Sequence, residues 1–273
     1  MKVYYEQDGV TLYHGDNVQT MREAIPDQSI DLVVTSPPYD NLRTYGGHTW
    51  DFEGLAAELW RTIKPGGVVV WIVNDATVDG SETGTSFRQA LHFKDIGFRL
   101  HDTMIYEKDS CPFPETTRYY PVCEFMFVLS KQSPSAVNLI ADRPNSRAGQ
   151  SVATGTQRER DGSLAKFSAS RVAPDRTVKT FGVRGNVWKY AVGFGKVSAD
   201  KTAHNHPAIF PEALARDHIL SWSNEGDTVL DPFSGSGTTL KMARLMGRKG
   251  IGIEIHERYC EIAAERLRQR LLF

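Results

Sequence analysis

Twelve consecutive residues constrain this chain more than any others. Thr228-Val229-Leu230-Asp231-Pro232-Phe233-Ser234-Gly235-Ser236-Gly237-Thr238-Thr239 reads as a short buried strand, a glycine-rich turn and the first turn of a helix. Gly235 and Gly237 allow positive φ and let a ligand lie against bare backbone. The first N–H groups of the following helix have no intrahelical partner and face that ligand. About 20 residues on, Gly252-Ile253-Glu254-Ile255 ends the next strand with an acid, the position that grips a ribose hydroxyl pair in dinucleotide folds. The turn differs from phosphate-cradling loops, which place lysine or only glycine near the anion. Here a carboxylate, Asp231, stands at the strand end, which suits a cationic ligand such as the amino group of a methionine moiety. Taken alone, the run also fits a tight strand–helix connection with Glu254 merely solvated.

The same alternation runs through much of the chain. Gly9–Gly15 reads as a strand, Asn17–Ile25 as a helix and Ile30–Thr35 as a buried strand. Phe52–Ile63 has helical periodicity ended by Lys64-Pro65-Gly66-Gly67, and Val68–Val73 is a further buried strand. Ser86–Ile96 reads as a helix, and Asp102–Tyr106 with Glu124–Leu129 as a strand pair. The pattern fades from Lys131 to about Ala203, where Ser, Thr, Gly, Arg and Lys dominate. It then returns as helix Pro211–Trp222, strand Thr228–Leu230, helix Thr238–Met246, strand Gly250–Ile255 and helix His256–Leu272. Strands alternating with helices predict an α/β fold with a mostly parallel sheet covered on both faces. The chain therefore divides into 1–130, an irregular insertion at 131–203, and 204–273.

The insertion differs in charge as well. Between Lys131 and Lys201 stand 13 Lys and Arg against 5 Asp and Glu, although the whole chain carries a formal charge of -1. A basic segment on an acidic body is a means of holding a polyanion, and a solvated loop of mixed charge is the plainer reading.

A second loop, Ser36-Pro37-Pro38-Tyr39, follows the strand Ile30–Thr35. Two prolines at the carboxyl end of a parallel strand prevent a helical start and fix the backbone. That rim is where open α/β sheets bind ligands. These residue types suit one chemistry. The exocyclic amino group of a nucleobase is a poor nucleophile because its lone pair is delocalised into the ring. The Ser36 hydroxyl and a Pro37 carbonyl can accept its two N–H bonds and favour a pyramidal nitrogen. Tyr39 offers an aromatic face for a base flipped out of its duplex. Positioning and local dipoles then supply most of the rate, with no covalent intermediate. A proline-bracketed turn with a buried tyrosine is the alternative for this loop alone.

Together the two loops resemble the amino-group DNA methyltransferases, over most of the chain outside the basic stretch. Ser36, Pro37, Pro38 and Tyr39 match the family's catalytic (D/N/S)PP(Y/F) motif. Asp231, Pro232, Phe233, Gly235, Ser236 and Gly237, followed by Thr238, match its cofactor loop, and Glu254 its ribose-binding acid. His206-Pro207-Ala208-Ile209-Phe210-Pro211 resembles the segment leading into that loop, with Phe210 near the methionine end. Gly15-Asp16 resembles an N-terminal pair whose acid lies near the cofactor's adenine. The resemblance implies a Rossmann-like, mostly parallel seven-stranded sheet, S-adenosylmethionine as cofactor, double-stranded DNA as partner, and a homodimer.

The catalytic motif precedes the cofactor loop, the beta order of the family, in which the intervening stretch recognises the target. Arg143, Arg147, Arg158, Arg160, Arg171, Arg176, Lys179 and Arg184 are thus candidate DNA contacts. Asp40 and Arg43 of the extended Ser-Pro-Pro-Tyr-Asp-x-x-Arg-x-Tyr motif join them, with Tyr106, where family members carry an aromatic residue against the flipped base. Serine at the first motif position leans to cytosine N4. The extended motif resembles a subgroup containing adenine enzymes, and the balance leans narrowly to adenine N6.

Other readings leave more unexplained. A carbon-5 cytosine enzyme needs Cys after Pro, and the order here is Cys111-Pro112. A nicotinamide dehydrogenase would carry GxGxxG where this loop has GSGTTL. A DNA-binding module that has lost catalysis would not need both motifs intact. His204-Asn205-His206 lacks a third ligand motif, so no metal is expected. Cys111, Cys123 and Cys260 form no CxxC pair. Met1–Asp8 has no apolar h-region and no stretch approaches a membrane span, which predicts a cytoplasmic protein with no membrane association.

Overall fold

The computed structural model describes residues 1–40, 50–110, 116–151, 155–167, 177–198 and 200–269. They fall into two compact units, 1–138 with 186–273, and 139–185. The larger unit is built on one sheet. Its strands are β1 (Lys2–Gln7), β2 (Val10–His14), β3 (Ile30–Thr35), β4 (Ile63–Val73), β5 (Arg99–Lys108), β6 (Cys123–Ser130), β7 (Val187–Tyr190), β8 (Thr228–Asp231) and β9 (Lys249–Glu254). The spatial order is β1-β2-β9-β8-β3-β4-β6-β5-β7. Neighbours from β2 to β4 run parallel, as do β5 and β7; β1 and β6 run against their neighbours.

Among the described residues the sheet has nine strands, and the two beyond the expected seven lie at its edges. At one edge, Asp8 (φ 51°) and Gly9 (φ 76°) form a two-residue turn between β1 and β2. Positive φ at both central positions suits the twist of a tight hairpin. At the other edge β7 comes from within the stretch expected to be irregular. It pairs in register with β5, Val187 opposite Ile105 and Trp188 opposite Tyr106. Trp188 is buried and stacks on His218, ring centroids 4.7 Å apart, which gives this edge strand a side chain to bury.

Among the described residues six α-helices cover the sheet: α1 (Asn17–Ala24), α2 (Phe52–Thr62), α3 (Thr85–Asp95), α4 (Glu212–Trp222), α5 (Thr238–Leu245) and α6 (Glu257–Arg268). Side chains alternate between the two faces of a strand. On one face Val69, Trp71 and Val73 of β4 and Val33 of β3 meet Val18 and Met21 of α1, Leu55 and Leu59 of α2, and Phe93 of α3. On the other, Leu240 of α5 and Cys260, Ala263 and Leu267 of α6 pack on Val10 and Leu12 of β2. Burial on both faces explains why β3 and β4 read as continuous apolar runs. Asp16 and Asp51 cap α1 and α2, their carboxylates accepting from the N–H groups of Gln19 and Gly54 at 2.9 Å.

The topology sets up one rim. The carboxyl ends of β2, β3, β4, β5, β7, β8 and β9 lie there, joined by the amino end of antiparallel β6. The smaller unit, 139–185, is antiparallel: Arg143–Pro144 pairs with Phe181–Gly182, and Gly155–Arg158 with Leu164–Phe167. Among the described residues no helix is long and apolar enough to cross a membrane.

Candidate active site

A cavity of about 700 Å³ opens at this rim, and both sequence motifs line it. Ser36, Pro37, Pro38 and Tyr39 leave the end of β3 on one side. Pro232, Phe233, Ser234, Ser236 and Thr238 follow β8 on the other. The volume falls within the range of roughly 300–1,000 Å³ usual for small-molecule sites.

Around the first motif, hydroxyl and carboxylate groups form a chain. Ser36 Oγ lies 2.9 Å from the Tyr39 hydroxyl, which donates to Glu124 Oε2 at 2.8 Å. The other carboxylate oxygen of Glu124 is 2.6 Å from Lys108 Nζ. Glu124 enters because β6 is antiparallel and begins at the rim where β5 ends with Lys108. Tyr106, two residues before Lys108, is buried and lines the same cavity. Burial, and then the nearby charges of Glu124 and Asp109, hold its hydroxyl above the usual phenol range. Trp50 meets Phe233 edge to face at 5.0 Å, so an apolar wall stands between the two motifs.

The glycine-rich loop is held from three sides. Gly237 caps α5 at φ 75°, and a Cβ there would stand 2.9 Å from Ala263 Cβ, so only glycine fits without a shift. Glu254 is buried, and its two oxygens accept from the N–H groups of Gly235 and His256, each at 2.8 Å. Burial raises its pKa against the pull of these donors. Beneath the loop, fully buried Arg266 donates to Ser236 and Thr238 and forms ion pairs with Asp200 (2.9 Å) and Glu212 (2.7 Å).

Asp231 is placed otherwise than its sequence context suggested. It is 1% exposed, and Oδ1 accepts from Thr35 Oγ1 at 2.7 Å and from the Phe233 N–H at 3.1 Å. Its pKa is pushed up to about 6 by burial, which those hydrogen bonds only partly offset. The carboxylate joins the end of β8 to the residue before Ser36, and it is absent from the cavity lining. Asp16 lines the cavity while capping α1, and Phe210 lines it with His206 and Pro207. The His206 ring also packs on Gly235 and, at 4.2 Å, on Tyr259.

The candidate DNA contacts are dispersed. Asp40 lies off the cavity, its Oδ2 accepting from the Ala76 N–H (3.0 Å) and the Thr83 hydroxyl (2.6 Å). In the smaller unit Arg143, Arg147, Arg158, Arg160 and Lys179 are exposed. Arg184 there is ion-paired with Asp142 at 2.6 Å. Arg43, Arg171 and Arg176 lie outside the described residues. No group of three or more metal-ligating side chains occurs among the described residues. The sequence reading missed Glu124, Lys108, Trp50, Arg266 and Val192–Phe194, the last lining the cavity just after β7.

The acids that line the cavity give a test of fit for a ligand, for Asp16 and Glu254 both stand in its wall. Glu254 retains acceptor capacity beyond its two backbone partners, as an acid gripping ribose hydroxyls requires.

The family model described as DNA methylase matches residues 30–265. The orphan methyltransferase M.BamHII of Bacillus amyloliquefaciens is 55% identical over 253 residues, covering 92% of this chain and 94% of its own. The DNA adenine methyltransferase YhdJ of Escherichia coli (strain K12) is 29% identical, covering 96% of this chain and 84% of its own. Among solved structures, the cytosine-N4-specific PvuII DNA methyltransferase matches with a TM-score of 0.70 at 21% identity, over 100% of this chain and 91% of that one. The M1.HpyAVI–SAM complex matches with a TM-score of 0.59 at 21% identity, over 95% and 100%.

Proposed function

The chain belongs to the DNA methylase family, as an S-adenosylmethionine-dependent DNA methyltransferase of the adenine-N6/cytosine-N4 class, and on that premise we propose that it methylates cytosine N4 at the Ser36–Tyr39 loop. The observation that carries the site is that this loop and the loop after β8 line one cavity. Donor carbon and acceptor nitrogen can then meet.

S-adenosylmethionine supplies an electrophilic methyl group on a sulfonium. The residues that would hold it are Asp16, Phe210, Pro232, Phe233, Ser234, Ser236, Thr238 and Glu254, with Gly235 and Gly237 shaping the turn. Asp231 acts by tying this loop to Thr35. On the acceptor side the Ser36 hydroxyl and Pro37 carbonyl take the amino hydrogens, so that the nitrogen lone pair turns out of the ring plane. Tyr39 and Tyr106 enclose the extruded base, where stacking contributes about 1–3 kcal/mol.

Three observations bear on the base. Ser36, the residue type that leans to cytosine, lines the cavity. Asp40, on which part of the lean to adenine rests, is occupied by Ala76 and Thr83 outside it. A structure of the same fold is cytosine-N4-specific. Adenine N6 is the second reading, favoured by the relative named a DNA adenine methyltransferase. The 131–203 stretch, with its exposed arginines, serves target recognition on double-stranded DNA in this proposal, and the active form is a homodimer.

The test is transfer of tritiated methyl from S-adenosylmethionine to duplex DNA, followed by nucleoside analysis. Label in N4-methylcytosine is expected. Label in N6-methyladenine would replace this reading with the second. Full transfer by Ser36→Ala would remove the loop from the site.

A further inference from the structure

We propose that Glu124, paired with Lys108, acts through Tyr39 and Ser36 as the terminal acceptor of the proton that the substrate amino group must lose. The inference rests on the assignment of Ser36–Tyr39 as the acceptor site and holds for either base.

A methylated amino nitrogen retains one hydrogen fewer than it began with, so one proton leaves the site per turnover. A base and cofactor that fill the cavity would displace water from around the amino group, and a fixed path then carries the proton out. The structure contains one. The Tyr39 hydroxyl donates to Glu124 Oε2 at 2.8 Å, which leaves its oxygen to accept from Ser36 Oγ at 2.9 Å. Every hydroxyl on the path then points away from the substrate and towards the carboxylate. Lys108 Nζ lies 2.6 Å from Glu124 Oε1 and holds the carboxylate in place from its other oxygen. Tyr39 is thereby also fixed in orientation as a stacking surface. Hydrogen-bond chains with one ionised end are stronger than their isolated links.

The electron and proton balance closes. The nitrogen lone pair forms the N–C bond while the C–S bond breaks and its pair stays on sulfur, giving a neutral thioether and a cationic nitrogen. That nitrogen's proton passes to Ser36 Oγ, the Ser36 proton to the Tyr39 oxygen, and the Tyr39 proton to Glu124. Ser36 and Tyr39 end as hydroxyls again. Glu124 ends as a neutral acid beside the Lys108 ammonium and returns its proton to water, for both side chains are partly exposed (12% and 25%).

Glu124→Gln separates this role from simple support of Tyr39, because an amide oxygen can still accept from the tyrosine hydroxyl but cannot take its proton. Single-turnover methyl transfer is measured in light and heavy water, with S-adenosylmethionine affinity and 2-aminopurine fluorescence as readouts of cofactor binding and base extrusion. We expect Glu124→Gln to lower the rate at least tenfold and abolish the solvent isotope effect, with both binding readouts within twofold of the parent. Tyr39→Phe should lose the isotope effect equally, and the double variant should be no slower than the slower single. An unchanged rate and isotope effect in Glu124→Gln overturns the relay. So does a rate loss that accompanies lost base extrusion, which would make Glu124 a support for Tyr39. Failure of the site assignment is distinct, for then Ser36→Ala itself would keep the full rate.

Discussion

Asp231→Asn should stabilise the protein, and by an amount that depends on pH. Asp231 is buried at the end of β8 with its pKa raised from 3.8 to about 6. The native state therefore keeps a proton that the unfolded chain has already released. Stability falls as pH rises from about 4 to about 6, because over that window folding must take up a proton. A shift of about two units corresponds to roughly 3 kcal/mol at pH 7 and above, at ~1.4 kcal/mol per unit. Asparagine keeps an oxygen to accept from Thr35 Oγ1 and the Phe233 N–H, and it has no charge to bury. Urea unfolding of both proteins at pH 4 and pH 7.5 isolates the effect, since other titrating groups cancel in the difference. The advantage of Asp231→Asn should grow by up to about 3 kcal/mol between the two conditions. An advantage that does not change with pH would refute the reasoning. Saturating S-adenosylmethionine should leave the difference in place, because the carboxylate does not line the cavity. If ligand erased it, the carboxylate would meet a cation there, as the strand-end position suggests from sequence.

Arg266→Met should cost about 3–5 kcal/mol, because it leaves the buried side chain of Asp200 without its cation, whereas Glu212 keeps Lys241 at 2.8 Å; a urea midpoint equal to that of the parent would show the network to be dispensable. Its affinity for S-adenosylmethionine should fall as well, since Arg266 also holds Ser236 and Thr238, and isothermal titration reads this directly. Gly237→Ala should lose about 1–3 kcal/mol to its positive φ and its close approach to Ala263, and should weaken cofactor binding. Neutralising Arg143, Arg147, Arg158, Arg160 and Lys179 together should flatten the salt dependence of DNA binding by about 0.9 in log–log slope for each phosphate no longer neutralised. Arg184→Ala should change that slope little, because Asp142 already holds its guanidinium. Filter binding between 50 and 200 mM salt distinguishes the two.

The sheet was legible wherever burial on both faces made a run continuously apolar. Ile30–Thr35 matches β3 residue for residue, and the six expected helices appear within two residues of their predicted starts. Most helix ends follow as closely, but α6 ends at Arg268, and the expected end at Leu272 lies outside the described residues. The two edge strands were missed for the opposite reason. In β1 only Tyr5 is buried, and in β7 only Trp188, so neither has a face long enough to show a period of two. The turn at Asp8-Gly9 did carry a hairpin signal that points to a strand on its amino side. β7 had no such marker, because its partner β5 lies about 80 residues earlier and the pairing is parallel.

The site divides along the same line. Ser36–Tyr39 and Asp231–Gly237 could be found because each is contiguous: one short segment carries a strand end, a turn and the groups that face the ligand. Glu124 and Lys108 are scattered: Glu124 stands near the start of a largely apolar strand and Lys108 at the end of one that already carries several polar residues, where charge is ordinary. They meet only because β6 runs opposite to β5 and to β4, which brings the start of one strand to the ends of two others. Arg266 shows the same limit from within a helix. At the last turn of α6 an arginine reads as a solvated charge suited to a helix C-terminus, yet it is completely buried against the loop after β8. Asp231 marks the limit within a contiguous motif, for local pattern puts it at the strand end but leaves the direction of its carboxylate open. That direction is set by Thr35, 196 residues away, through one hydrogen bond across the sheet.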